Sequence, residues 1–398
     1  MPPLQMVDDI LGIKKCSSQS VQLNTTVNAF IEHEKLELSE KKCHKVHIGK
    51  FDRNCPDLEV HGKRMHEASS EKYLGDIFNK SGNNKQNIAS RVAKGYSRVN
   101  MILALLDEAP LGWAKIKAGI RLRKAMLINA ILFISESWQD VKEDDVKDLE
   151  RADEALLRGL VHGHAKVAIP ALYLHLGQEP IRFILASRRI LYLHTILNRE
   201  DKEITKRTYD AQKQDPINGD FCLLVQKDLK MIGLNLTDNE IKKLSKGQLK
   251  SKLKKTVKEA ALKHLIQEVE HKNLSKMKHH KYDKLIPMTF LTYPTFSRDQ
   301  ASLLFALRTR TVRGVRSDFG NMYSSKVCPL LGECTHDDTL SEMLSCPVLR
   351  QKAPDLLEPV TVQYSDVFSA DLEQQKKVTL VYARLLEIRE EIISPPVA

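Results

Sequence analysis

From Lys85 almost to the end of this 398-residue chain, apolar residues recur three and four positions apart. Ile88, Val92, Val99, Ile102, Leu103 and Leu106 open the pattern. That spacing puts them on one side of an α-helix. Pro110-Leu-Gly112 then stops it, because proline lacks the amide that the next turn needs. Further helices are expected over residues 114–138, 141–161, 180–196, 301–307 and 371–393. Between them, residues 170–177 alternate large apolar side chains before a Gly stop, with His175 as a core residue. Residues 198–220 are polar, with Pro216 and Gly219, and read as a boundary or linker. The chain is therefore mainly α, with a small α+β segment before residue 80, in which residues 18–34 form one helix.

The composition narrows the partners. A hydrophobic fraction of 42% is enough for two or three cores. The net charge of +11 favours an anionic partner, nucleic acid first. No apolar run reaches the roughly 18 residues of a spanning helix, so no membrane partner is expected. Seven cysteines in so long a chain make no disulfide framework and fit a reducing cytoplasm or nucleus. The sequence sets no oligomeric state.

Before residue 80, Asp8 and Asp9 stand between the short apolar runs 4–7 and 10–13. Apolar flanks around a polar pair read as a β-hairpin with its acids at the turn. Two such carboxylates are what a polymerase uses to hold divalent cations about 3.5–4 Å apart. A turn that simply favours Asp accounts for the same residues. Downstream lie Leu-Glu-Leu-Ser-Glu-Lys-Lys-Cys at 36–43, Val-His-Ile-Gly-Lys at 46–50 and Lys-Tyr-Leu-Gly-Asp-Ile-Phe at 72–78.

In that order, these segments resemble the last three palm motifs of the reverse transcriptases of non-LTR (LINE-type) retrotransposons. The Arg-Thr-Arg at 308–310 and the Cys-containing stretch up to Cys346 are similar to the C-terminal region of the same elements. The resemblance implies Mg²⁺ at Asp8 and Asp9, with Lys42 beside the phosphates of the incoming nucleotide. A cation there stabilises developing pyrophosphate charge or donates a proton. Tyr73, Leu74 and Gly75 correspond to a primer-grip hairpin. Gly allows a close backbone approach to a sugar-phosphate strand, and Tyr offers a flat contact. An ordinary strand with a core Tyr fits those residues nearly as well.

The basic residues follow the same order. Lys94, Arg98, Arg121, Arg123 and Lys124 load the helices after the hairpin, where the resemblance implies a thumb on a template–primer duplex. Lys252, Lys254 and Lys255 lie in a stretch whose basic residues, histidine aside, are all lysine, suited to phosphate contact without sequence preference. Arg308, Arg310, Arg313 and Arg316 cluster further on and suit bidentate phosphate contacts. For the first cluster, its position and the chain's excess of positive charge favour the thumb reading over a solvated helix face. For the other two, a solvated face, or for the arginines pairing with nearby carboxylates, explains the residues equally well. Cys328, Cys334, His336 and Cys346 supply a ligand set for Zn²⁺. The family's knuckle has Cys-x-x-Cys and His-x-x-x-Cys. Leu331 and Glu342 stand in two of its places here, so the knuckle is degenerate.

The expected organisation is a partial palm over 1–80, a helical thumb and connection over 81–200, a basic helical linker over 201–295, and an Arg-rich segment, knuckle and final helix over 296–398. In the family, the fingers and a further palm Asp precede the acidic hairpin. A C-terminal fragment of an RNA-directed DNA polymerase is therefore expected, binding RNA template and DNA primer but inactive alone. The alternative is a non-catalytic nucleic-acid-binding or scaffold protein made of the same helices.

Overall fold

Asn84 ends a turn, and from Lys85 onward the described residues of the computed structural model are mostly helical. It describes residues 4–6, 9–11, 17–35, 43–48, 58–60, 62–110, 114–163, 165–271, 282–312, 340–354 and 362–393. Among the described residues, the N-terminal part holds one helix, α1 (Ser17–His33), and four short strand pairs. β1 (Leu4–Met6) pairs antiparallel with β2 (Asp9–Leu11), and β3 (His44–Lys45) pairs parallel with β6 (His66–Glu67). β4 (Glu59–Val60) pairs antiparallel with β5 (Lys63–Arg64), and β7 (Ser70–Tyr73) with β8 (Asp76–Asn79). Among the described residues these pairs do not join into one sheet.

The first helices follow the apolar spacing closely. α2 (Lys85–Glu108) buries Ile88, Val99, Ile102 and Leu106 and stops just before Pro110. α3 (Lys115–Leu122) runs through a π turn (Arg123–Leu127) into α4 (Ile128–Ile131), which ends earlier than the apolar pattern suggests. The break falls at Ile134, whose φ of 59° is left-handed. α5 (Glu143–Leu160) starts with three acids in its first turn, where the exposed amides of a helix favour negative charge.

α6 (Ile169–Leu176) is the stretch that alternates apolar residues in the sequence. It folds as a helix because Pro170 to Leu176 are all buried, so no polar face remains to mark a period. Gly177 (φ 62°) stops it, and the backbone of Ile286 and Pro287 crosses where a Cβ would sit, within 2.2 Å. Only glycine fits there. α7 (Ile181–Leu197) follows.

Residues 198–220, which look like a linker, contain α8 (Ile204–Gln214). Tyr209 buries its ring there and donates to Asp238 at 3.0 Å. After α9 (Phe221–Met231) and α10 (Asp238–Lys243) comes α11 (Lys246–His271), the lysine-rich segment. Its buried side chains are Leu249, Leu253, Val257, Ala261, Leu265 and Val269. One apolar residue every four positions is enough to seat α11 on α6 and α7. The segment is therefore half core, because a composition dominated by its solvent face hides so narrow a stripe. α12 (Arg298–Thr309), α13 (Leu340–Met343), α14 (Pro347–Lys352) and α15 (Leu372–Ile393) are the remaining described α-helices. Among the described residues, one contiguous hydrophobic core runs from Ile88 to Ile388.

The buried Arg123 and Asp153 form a matched set in this core. Arg123 donates to both carboxylate oxygens of Asp153 at 2.6 and 2.7 Å, to Gln178 Oε1 at 2.9 Å and to the Glu179 carbonyl at 2.9 Å. Tyr173 adds a bond to Asp153 at 2.9 Å. Removing one member strands the other in low dielectric, so Asp153→Ala should lower the unfolding free energy by about 3–5 kcal/mol. A double Arg123→Met, Asp153→Leu exchange should cost clearly less, as measured by urea denaturation.

His175 is fully buried among Tyr282, Phe290 and Phe305, with Nδ1 2.9 Å from the Ala171 carbonyl. Burial, together with the Arg308 charge, pushes its pKa down from 6.5 to about 3. The unfolded chain takes up this proton first, so stability is full above pH 6.5 and falls as the solution is acidified toward pH 3. By pH 5 the loss should be about 2 kcal/mol. His175→Gln should remove that part of the pH dependence in denaturation measured across this range.

Candidate nucleic-acid interface

The Tyr73–Asp76 corner is the sequence-marked motif whose geometry is most completely described. Tyr73 pairs with Asp76, leaving Leu74 and Gly75 as the two loop residues. Both have positive φ, 48° and 88°. This is the turn that matches the right-handed twist of two strands. Gly adopts it freely, whereas Leu74 is held there at a cost on the order of 1 kcal/mol or more. Leu74 is 40% exposed at the tip.

Two side chains one turn apart on α2 dock this hairpin. The Ile77 amide donates to Asn87 Oδ1 at 2.7 Å, and Asn87 Nδ2 donates back to the Ile77 carbonyl at 3.1 Å. Arg91 Nη2 donates to the Gly75 carbonyl at 2.5 Å. The same guanidinium lies over the Phe133 ring, 4.6 Å from its centre. A Cβ on Gly75 would stand 3.1 Å from Phe133 Cε1, so the hairpin tip and the end of α4 meet edge to edge. Burial pushes the Asp76 carboxyl up, against the pull of the Ile77 amide and Arg91. Burial also lowers the Lys94 ammonium, together with the like charges of Arg91 and Lys72. Lys72, Arg91 and Lys94 therefore form one positive cluster joining the hairpin to α2.

The other basic residues divide into two groups. Lys94, Arg98, Arg121 and Lys124 are exposed on α2, α3 and the π turn, and Lys252, Lys254 and Lys255 are exposed on α11. Arg123 is not on this face. It is 2% exposed and committed to Asp153, so the expectation that it meets phosphate is corrected. Arg308 is corrected in the same way: it is buried, lies over Phe290 and Phe368, and donates to the Val367 carbonyl at 2.9 Å. Burial lowers its pKa to about 10. Arg310 is half-buried with φ 52° and stacks 5.0 Å above the Tyr364 ring. These two arginines brace α12 against the segment before α15 and do not form a phosphate grip. Arg313 and Arg316 lie outside the described residues.

The two metal readings rest mostly on residues outside the described set. Asp9 is in β2 with its backbone opposite Met6, while Asp8 lies outside, as does Lys42. Cys346 is buried at the start of α14, and Cys328, Cys334 and His336 lie outside. Among the described residues, no group of three or more His, Cys, Asp or Glu is placed to hold a metal ion. No described helix is long and apolar enough to cross a membrane. Compared with known proteins, the chain matches no family model, no curated sequence and no solved structure.

The docking residues Asn87 and Arg91 and the exposed Phe133 carry no motif in the sequence. Their one signal is two polar side chains, four apart, flanking the apolar stripe of α2 at Ile88. Asn87→Ala should detach the hairpin without unfolding the helices. Amide hydrogen exchange at Ile77 should then rise at least about tenfold, as expected for about 1.4 kcal/mol lost from that bond pair. Exchange in α5 should not change.

Proposed function

We propose that this chain is part of a non-LTR retrotransposon reverse transcriptase and that its basic helical face binds a template–primer duplex. What supports the reading is order combined with contact. The hairpin carrying Tyr73, Leu74 and Gly75 docks directly on the first of two helices whose exposed faces carry Lys94, Arg98, Arg121 and Lys124. In a polymerase, a primer grip passes the strand to a thumb in this sequence. Lys252, Lys254 and Lys255 on α11 would extend the phosphate contacts.

In this reading Asp8 and Asp9 hold Mg²⁺ and Lys42 faces the nucleotide phosphates. Cys328, Cys334, His336 and Cys346 would be the remains of a zinc knuckle. The chain's own part is to bind and orient the strand. Lysine and arginine neutralise phosphates and release counterions, so affinity for an RNA–DNA hybrid should fall steeply with salt.

Fluorescence anisotropy of a labelled RNA template annealed to a DNA primer tests this. Reversing Lys94, Arg98 and Arg121 to Glu should weaken binding at least about 100-fold at moderate salt and flatten the salt slope by about 3. Wild-type protein should prefer the primed hybrid to a blunt duplex DNA of equal length. Equal affinity for both would favour a general nucleic-acid-binding helical protein. Absence of salt-dependent binding would rule out the nucleic-acid reading altogether.

A further inference from the structure

Phe133 keeps 45% of its surface in solvent although the backbone on both sides of it is fixed. The Leu132 carbonyl before it accepts from Ser135 Oγ at 3.0 Å and from the Arg188 guanidinium. Ile134 after it has φ 59°, a conformation that a β-branched residue adopts only when its surroundings impose it. The helix leading to it contains the π turn Arg123–Leu127, an irregularity frequent at functional sites. A single exposed apolar residue is ordinary. An exposed ring that the fold displays through backbone strain calls for a ligand.

The surroundings define that ligand. One face of the ring carries Arg91, and its edge abuts Gly75 at the hairpin tip. Neither Lys72 nor Lys94, whose charge is felt together with that of Arg91, pairs with a carboxylate among the described residues. Of the carboxylates on this side, Asp76 is half-buried beside Arg91, Glu71 pairs with His44, and Glu136 acts on Arg188. A flat ring beside unneutralised cations is complementary to a molecule that offers both a π face and a line of anions. A lipid surface offers the anions without the flat partner. A protein partner would need a wider apolar area than one ring and Leu74 provide.

We propose that Phe133 is a stacking platform for a base of a nucleic-acid strand whose phosphates pass Lys72 and Lys94. The inference rests on the reading that this face meets nucleic acid, and it specifies which part. A base inside a duplex has both faces covered, so the ligand is a strand end or a single-stranded segment. Stacking on an aromatic ring tolerates any base, so little sequence preference is expected.

The test compares binding of the full chain to a short labelled oligothymidylate and to the same backbone made abasic. Phe133→Ala should weaken oligothymidylate binding about 5- to 150-fold, the usual effect of losing one aromatic base contact. Binding of the abasic strand should be unchanged, and Phe133→Tyr should restore the preference for bases. Lys94→Ala should weaken both ligands alike. If Phe133→Ala leaves both affinities unchanged or lowers both equally, stacking is overturned, while salt-dependent binding sensitive to Lys94 would leave the interface reading standing. If wild-type protein binds neither strand in a salt-dependent way, both are overturned.

Discussion

Burying the Arg123 guanidinium obliges the surrounding chain to supply acceptors for it in low dielectric. Asp153 on α5, Gln178 and the Glu179 carbonyl do so from three places, and Tyr173 on α6 completes the carboxylate. Any of these elements shifting alone would leave a charge or a polar atom unpaired, which costs far more than the pair itself contributes. The α3–α4 segment, α5, α6 and the loop before α7 are thereby fixed relative to one another. Phe133, the hairpin dock and the exposed face of α2 all take their positions from that arrangement.

The arginines and lysines of this chain perform different physical tasks. Arg91, Arg188 and Arg308 cap backbone carbonyls, while Arg123, Arg182 and Arg189 meet carboxylates across helix contacts. A planar group with five donors and weak hydration suits such interior bracing. Lys94 on α2, Lys124 on the π turn and Lys252, Lys254 and Lys255 on α11 remain exposed. Much of the net charge of +11 is therefore carried where a polyanion can reach it, but by fewer arginines than a count of basic residues suggests.

Two of the left-handed non-glycine residues meet at one place. Leu74 and Ile134, both left-handed, lie on either side of the contact between the hairpin tip and the end of α4. The two strained turns are held by hydrogen bonds between the side chains of Asn87, Arg91 and Arg188 and backbone atoms. A site so held is preorganised, because the cost of ordering it is met during folding.

Local physics in the sequence determined the helices and several of their ends: the stripe of α2, the stop before Pro110, the Gly177 stop, the Tyr-Leu-Gly corner and the neutral core place of His175. Each depends on neighbours within a turn or two, so spacing and residue type suffice. Tertiary structure decided which cations face water. Arg123 and Arg98 read alike in sequence, yet one is sealed against Asp153 and the other exposed, because burial depends on partners 30 or more residues away. It also decided that the lysine-rich segment is half core and that α4 stops short to present Phe133. Those outcomes come from helices meeting across the body, a contact that no local period encodes.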